Sequence, residues 1–456
     1  MQFKSLLFAA ALASPAAAQT DARRQAERTL FEKVVEIPTV AGRGQMPKLV
    51  SLLTAEFRKA GITNVIVKDH DDTQTLIARW PAAKPSGKKP ILLMAHMDVV
   101  EANPADWKYD PFTFREESGY YLGRGASDNK AALVGIVLAL QNLKRAGFEP
   151  TRDLIILFTG DEEIGGNGAR RAANEWRSLI DAEYALNGDA GGGGLYADGR
   201  VEGFYMQVAE KTYSDFKLIA TNRGGHSSTP RPDNAIYALA GALKAIEAHR
   251  FPPMINEASR AMYERVAEGD KGLFGELVGK WLKDPTDRET SDLLEANDPG
   301  YTRTRCVATM LSGGHAPNAL PQKAEANVNC RIFPGVKIEE VRQQLQALAG
   351  PDVKVERGPN ASPESDASPV RADILDAYRE AVATRFKDAP IIPMMSAGAT
   401  DGAFLRNSGI PVYGVGGLWG IVSEPSGAHG LNEKVLIEGF HGQVPIWEDM
   451  LRRLAG

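Results

Sequence analysis

The stretch "LIILFTGDEEIGGNGA", Leu154 to Ala169, decides how the chain is read. Its opening run, Leu154 to Phe158, is continuously apolar, which suits a strand buried on both faces rather than a half-exposed one. The run ends on three adjacent acids, Asp161, Glu162 and Glu163, and glycines follow at once. Neighbouring carboxylates repel one another and resist desolvation. Their place at the end of a core strand therefore calls for a positive partner.

Two more runs have the same design. "PILLMAHMDVV" (Pro90 to Val100) is continuously apolar, and "AEYALNGDAGGGG" (Ala182 to Gly194) again ends in an acid and glycines. Between the first two lies "NKAALVGIVLALQNLKRAG" (Asn129 to Gly147), a helix with a glycine stop. Asp21 to about Lys59 reads as helical, "TNVIVKD" and "TLIARW" as strands, and "PAAKPSGKK" as a polar turn. Strands alternating with helices imply an α/β fold with a mainly parallel sheet.

Near residue 205 the pattern changes. "FYMQVAEKTYSDFKLIAT" alternates as an exposed antiparallel strand does, and a helix spans Ala235 to Ala248. Residues Phe251 to Tyr301 are polar and mostly helical, then "TRTRCVATMLSGG" and "KAEANVNCRIFPG" read as strands and Lys337 to Gly350 as a helix. The α/β pattern resumes from about Asp366. One α/β domain, residues 19–204 and 359–456, is thus expected to be split around an α+β insert, residues 205–358. With 456 residues, two cores are expected.

Composition narrows the function. The chain is 43% hydrophobic and 24% charged, with net charge −5, as in ordinary globular proteins. No basic block or aromatic-basic interleaving is present, which argues against nucleic acid as a partner. "MQFKSLLFAAALASPAAAQT" has one cation, a short apolar core and Ala16-Ala17-Ala18, and reads as a secretory signal over residues 1–18. It is too short to span a bilayer, which needs about 20 residues. The periplasm or the exterior is the expected location, with no membrane span. The two cysteines, Cys306 and Cys330, flank "MLSGGHAPNALPQ" almost symmetrically. We read them as two small core residues, with a disulfide across a hairpin as the alternative that export permits.

Five strand ends or glycine-rich loops carry a histidine or an acid: "AHMD" (His96, Asp98), "GRGASDNKA" (Asp128), "TGDEEIGG" (Glu162, Glu163), "NGDAGG" (Asp189) and "GAHGLNE" (His429). Ligands of open parallel sheets bind beyond the carboxyl ends of the strands. Two imidazoles and several carboxylates there form a mixed nitrogen and oxygen donor set that suits Zn²⁺ or another divalent first-row ion. Singly, each residue has a plainer reading: a hydrogen-bonded histidine, a helix cap at Asp128, a turn at Asp189. Five such coincidences in a chain with seven histidines favour a joint site.

In order along the chain, "HMDVV", "GRGASDNKAAL", "TGDEEIGG", "NGDAGG", "GGHSSTP", "NALP" and "GAHGLNE" resemble the M20 metallopeptidase family, dinuclear zinc carboxypeptidases, dipeptidases, aminoacylases and deacylases. The segment from His96 to Lys130 looks closest to its carboxypeptidase S and aminoacylase-like branch. The resemblance implies a zinc-exopeptidase-like catalytic domain with an inserted α+β lid or dimerisation domain. It implies two Zn²⁺, with Co²⁺ or Mn²⁺ as alternatives. His96 and Asp189 would hold one ion, Glu163 and His429 the other, and Asp128 would bridge both. Glu162 would be the general base and acid, and Asp98 would orient His96. His226 in "GGHSSTP" would serve the oxyanion, Asn318 and Arg331 would meet the substrate's carboxylate, and Gly398 in "SAGATDGAF" would give backbone access. His70, His249 and His441 read as surface residues, and Asp161 as a loop acid or local cap.

The implied activity is cleavage of the amide bond of short peptides or N-acyl amino acids, with a small-molecule aminoacylase as the alternative and a homodimer through the insert as a possible assembly. A catalytically dead metal-binding protein would be marked by loss of Glu162 or a ligand, and none is missing. The long Phe251 to Tyr301 segment departs from a minimal insert of the family. It leaves open whether the segment covers the site, extends a lid or replaces a dimer edge.

Overall fold

The computed structural model describes residues 15–456; the leader reading rests largely on residues outside that range. Leu154–Thr159 is a strand buried along its whole length. Ile91–His96 runs parallel beside it, with His96 opposite Thr159. Tyr184–Asn187 and then Val412–Gly414 continue the parallel centre. Antiparallel strands flank it: Thr73–Trp80 and Asn64–His70 on one side, Val201–Glu210 and Gly192–Leu195 on the other. Together with Trp419–Ile421 and Ile391–Ser396 they make a ten-stranded sheet.

Side-chain alternation along the central strands explains why continuous apolar runs are needed. Ile91, Leu93, Ile156 and Phe158 pack into one core with the helices Lys130–Arg145 and Ile437–Ala455. Leu92, Met94, Ile155 and Leu157 face the opposite way, against Ala169, Ala172 and Leu405. With both faces covered, the strand ends are left as the place for polar chemistry.

The insert has its own antiparallel sheet, in the order Arg305–Gly313, Lys323–Ile332, Thr212–Thr221, Val353–Ala361. The helices Ala235–Ala248 and Ile338–Ala349 cover one face and share a core with Phe216, Leu218 and Val328. Its outer strand, Arg305–Gly313, is almost wholly exposed.

Three expectations need correction. "FYMQVAEKTYSDFKLIAT" is two strands, not one: Val201–Glu210 lies buried in the large sheet, and after Lys211 the chain enters the insert's sheet as Thr212–Thr221. Alternation was read through the junction because Lys211, an apparent outward residue, is itself buried and donates to the Arg303 carbonyl. Cys306 and Cys330 are a disulfide, directly opposed across the Arg305–Gly313 and Lys323–Ile332 pair. His70 and His441 are buried rather than superficial. His441 sits between Glu27 and Tyr121 (2.6 and 3.0 Å), and His70 hydrogen-bonds Thr75 at 2.8 Å.

The long polar segment is helical, as expected: Glu257–Gly269, Leu273–Lys283 and Arg288–Asn297. Its core, with Tyr263 and Trp281 edge to face at 5.2 Å, closes on Ile392 and Tyr205 of the large sheet. The segment therefore buttresses the outer part of that sheet. Among the described residues, no helix is long and apolar enough to cross a membrane.

Candidate active site

The parallel centre of the sheet delivers its strand ends to one crevice. His96 closes Ile91–His96, Glu162 and Glu163 open the short turn after Leu154–Thr159, and Asp189 follows Tyr184–Asn187. Asp128 precedes the helix Lys130–Arg145, and His429 comes from the loop before Lys434–Leu436.

These residues converge. His96 Nε2 lies 2.9 Å from Asp128 Oδ1 and 3.3 Å from Asp189 Oδ1. His429 Nε2 lies 3.2 Å from Asp128 Oδ2 and 2.9 Å from Glu163 Oε2. Asp128 thus turns one oxygen to each imidazole, with Asp189 on one side and Glu163 on the other. One donor atom each from His96, Asp128 and Glu163 falls within a 4.8 Å cluster. Asp98 is buried behind them, with its carboxylate 3.4 Å from His96 Nδ1. It also accepts from the backbone N–H of Glu162 (3.2 Å) and Glu163 (3.0 Å), so one acid sets both the imidazole and the two glutamates.

The electrostatics report a shortage of positive charge. Burial and then Asp189 push the Glu162 carboxyl well above its ordinary range. Burial, with Asp128 and Glu163 adding repulsion, raises Asp189 to about 6. Burial also opposes ionisation of Asp128, but hydrogen bonds from His429 and His96 more than offset it and hold the group low. The histidines shift the other way. Hydrogen bonds to Asp128 and Glu163 raise His429 to about 10, and in His96 the pull of Asp189 and Asp128 overcomes burial. Protons on the imidazoles are the charge available to the protein alone. The donor set is all hard oxygen and imidazole nitrogen, which fits divalent first-row cations.

The residues assigned to the substrate are bonded to other partners. His226 is exposed on the insert, and its Nδ1 accepts from the Ser228 N–H at 3.1 Å. Beside it, the backbone carbonyl of Asn318 accepts from Ser227 N–H at 3.0 Å. Arg331 stacks over Tyr213 at 4.8 Å and makes no ion pair among the described residues. Gly398 donates its N–H to Ser396 Oγ at 3.0 Å. None of the four hydrogen-bonds or ion-pairs with the cluster.

Two acids that sequence reasoning passed over do belong to it. Glu433 is fully buried and ties the Asp128 loop to the His429 loop. Its Oε1 accepts from Ser127 N–H (2.8 Å), Ser127 Oγ (3.0 Å) and Asp128 N–H (2.9 Å). Its Oε2 accepts from Gly125 N–H (2.8 Å) and Arg124 Nη1 (2.7 Å), and Arg124 Nη2 reaches back to the Gly430 carbonyl at 2.8 Å. That clamp holds His429 at φ 59, a left-handed conformation that costs a non-glycine residue about 1 kcal/mol or more. The signal was its place four residues after His429. Asp401, in "SAGATDGAF", is buried and accepts from Thr159 Oγ1 at 2.5 Å, so that loop reaches the crevice through its acid. Asp161 is the local cap expected, accepting from Gly168 N–H at 2.9 Å.

Known proteins resemble the chain along most of its length. The model of peptidase family M20/M25/M40 matches residues 92–453. The N-fatty-acyl-amino acid synthase/hydrolase PM20D1.1 of Danio rerio is 27% identical over 438 residues, covering 90% of this chain and 82% of that protein. The M20 family metallo-carboxypeptidase Sso-CP2 from Sulfolobus solfataricus shares the fold, with a TM-score of 0.71 at 20% identity over 93% of this chain and 98% of that one. So does the YXEP protein of Bacillus subtilis, described as a dinuclear metal binding peptidase, with a TM-score of 0.61 at 14% identity over 95% and 99%.

Proposed function

The chain belongs to peptidase family M20/M25/M40, and from that premise we propose an exported, dinuclear metal-dependent amidohydrolase that cleaves short peptides or N-acyl amino acids in the manner of a carboxypeptidase or dipeptidase. The observation that carries the reading is the turn of Asp128's two oxygens toward His96 and His429. In this reading His96 and Asp189 would hold one ion and Glu163 and His429 the other, with Asp128 shared between them. The donor chemistry suits two Zn²⁺, with Co²⁺ or Mn²⁺ as substitutes. When bound, such a pair supplies charge to polarise the amide carbonyl and to acidify a water to a pKa of about 7.

The protein's own groups do the rest. Glu162 takes the proton of the attacking water and delivers it to the leaving nitrogen. Without cations, burial and Asp189 hold its carboxyl well above the ordinary range, so the bound charge would be needed to free it as a base. Asp98 fixes the imidazole of His96 through Nδ1, which meets its backbone carbonyl at 3.1 Å and its carboxylate at 3.4 Å, the kind of partner that orients ligating histidines. His226 donates to the developing oxyanion, and Asn318, Arg331 and the Gly398 backbone receive the rest of the substrate. His226, Asn318 and Arg331 belong to the insert and make no bond to the cluster, so in this reading the insert closes or a second copy supplies them, while Gly398 belongs to the catalytic domain itself.

A homodimer through the insert belongs to the same reading. Its support is the exposed outer strand with Val307, Met310 and Leu311 at 60%, 70% and 71% exposure. Export is supported by the leader pattern and by the Cys306–Cys330 bond, since disulfides persist in oxidising compartments.

The deciding test is Glu162→Gln. We expect metal content by elemental analysis to stay at two ions per chain while kcat falls by about 10²–10⁴-fold on a dipeptide or N-acyl amino acid. Near-normal turnover would remove Glu162 from the mechanism.

A further inference from the structure

The hairpin of Asn64–His70 and Thr73–Trp80 turns through Asp71 and Asp72, and its tip rests on the turn that carries Glu162 and Glu163. Thr73 Oγ1 donates to the Gly160 carbonyl there at 2.7 Å. Beside this contact the His70 side chain is wholly buried. Its Nε2 meets Thr75 Oγ1 at 2.8 Å, but its Nδ1 has no hydrogen-bond partner among the described residues. A buried polar atom without a partner is costly. What faces Nδ1 is negative: Asp71 Oδ2 at 3.5 Å and the buried Asp161 Oδ2 at 3.8 Å. Both are too far for a good hydrogen bond.

The spacing suits a cation instead. Zn²⁺ binds imidazole nitrogen at about 2.0–2.1 Å and carboxylate oxygen at about 2.0–2.2 Å, so a tetrahedral site holds its donors roughly 3.4 Å apart. One donor atom each from His70, Asp71 and Asp161 lies within 4.8 Å of the others. One nitrogen and two oxygens suit first-row divalent ions. The Thr75 contact would hold the ring by the nitrogen that does not ligate, as partners of ligating histidines do. Neighbouring donors leave Nδ1 alone: Asn167 Nδ2 donates to Asp71 Oδ2, Arg171 Nη2 lies 3.7 Å from Asp71 Oδ1, and Gly168 N–H donates to Asp161 at 2.9 Å. A Cβ on Gly168 would fall 2.5 Å from Thr75 Oγ1 and 2.8 Å from Asp161 Oδ1, so glycine is what lets the helix Asn167–Asn174 approach the group. We propose that His70, Asp71 and Asp161 form a further cation site, sharing no residue with the catalytic cluster, which takes Zn²⁺ or another first-row divalent ion and ties the hairpin tip to the turn bearing Glu162 and Glu163. Only three side chains hold the ion and Asp71 is half exposed, so the site fills after the catalytic pair and exchanges with free ion.

The test is equilibrium dialysis of the full-length protein against excess Zn²⁺. We expect three ions per chain, falling to two after gel filtration. Asp71→Asn and His70→Gln should each weaken the third binding step at least tenfold and keep the other two ions. Excess Zn²⁺ should also raise the Tm of wild-type protein that already holds two ions, as binding to the folded state must, and should not raise that of Asp71→Asn. The Asp71 change lies at a half-exposed position, so it serves if the His70 variant does not fold. A wild-type count of two under dialysis, with Nδ1 simply protonated between the two acids, overturns the further site and leaves the catalytic pair as read. Three ions persisting in both variants would place the extra ion elsewhere and overturn it too.

Discussion

At the scale of single residues, the imidazoles matter most. His429 and His96 are both held charged by the carboxylates around them. A cation entering the cluster has to displace those protons, so binding must strengthen as pH rises. We expect Zn²⁺ affinity to climb from pH 6 upward, and calorimetry in buffers of different ionisation heat to detect release of about two protons per chain. The sign for stability is opposite. The folded-state value for His429, about 10, lies above its ordinary value of 6.5, so its contribution to the metal-free fold is complete below about 6.5 and is lost as pH rises toward 10. The Tm of chelator-treated protein should therefore fall across that window by more than that of loaded protein. The residues of this cluster were legible because each ends a strand or opens a helix beside glycine, a local pattern. Asp401 was not, because its partner Thr159 is far away in sequence and only the folded sheet brings them together.

At the scale of elements, two loops define the crevice, and Glu433 joins them. Replacing it by Gln keeps the size but turns one acceptor oxygen into a donor facing backbone N–H groups. Hydrogen bonds to charged groups contribute about 1.5–3 kcal/mol each, so Glu433→Gln should loosen the Asp128 loop without unfolding the sheet. We expect metal affinity to drop 10–100-fold with far-ultraviolet circular dichroism unchanged, as for outer supports of other metal centres. The parallel strands and their helices could be read from the sequence because continuous apolar runs permit few alternatives. The junction at Lys211 could not, since a lysine is ordinarily an outward residue and here lies fully buried. The disulfide was under-weighted for a related reason: spacing alone did not distinguish facing cysteines from stacked ones, and the register does.

At the scale of the whole molecule, the insert leaves the outer edge of Arg305–Gly313 unpaired, with exposed apolar side chains on that strand and Tyr237 nearby at 74% exposure. Such an edge invites pairing with another chain. Leu311→Lys should convert a dimer to a monomer in sedimentation velocity while the secondary structure is retained; a wild-type protein that already runs as a monomer would remove the assembly. The separation of His226, Asn318 and Arg331 from the cluster was invisible in the sequence, where motifs carry order but not distance.

Because Glu433 latches the two loops by hydrogen bonds that involve no ion, stripping the centre with a chelator would leave a mould rather than slack chain. In that reading, reloading would need only an exchange of protons on the imidazoles.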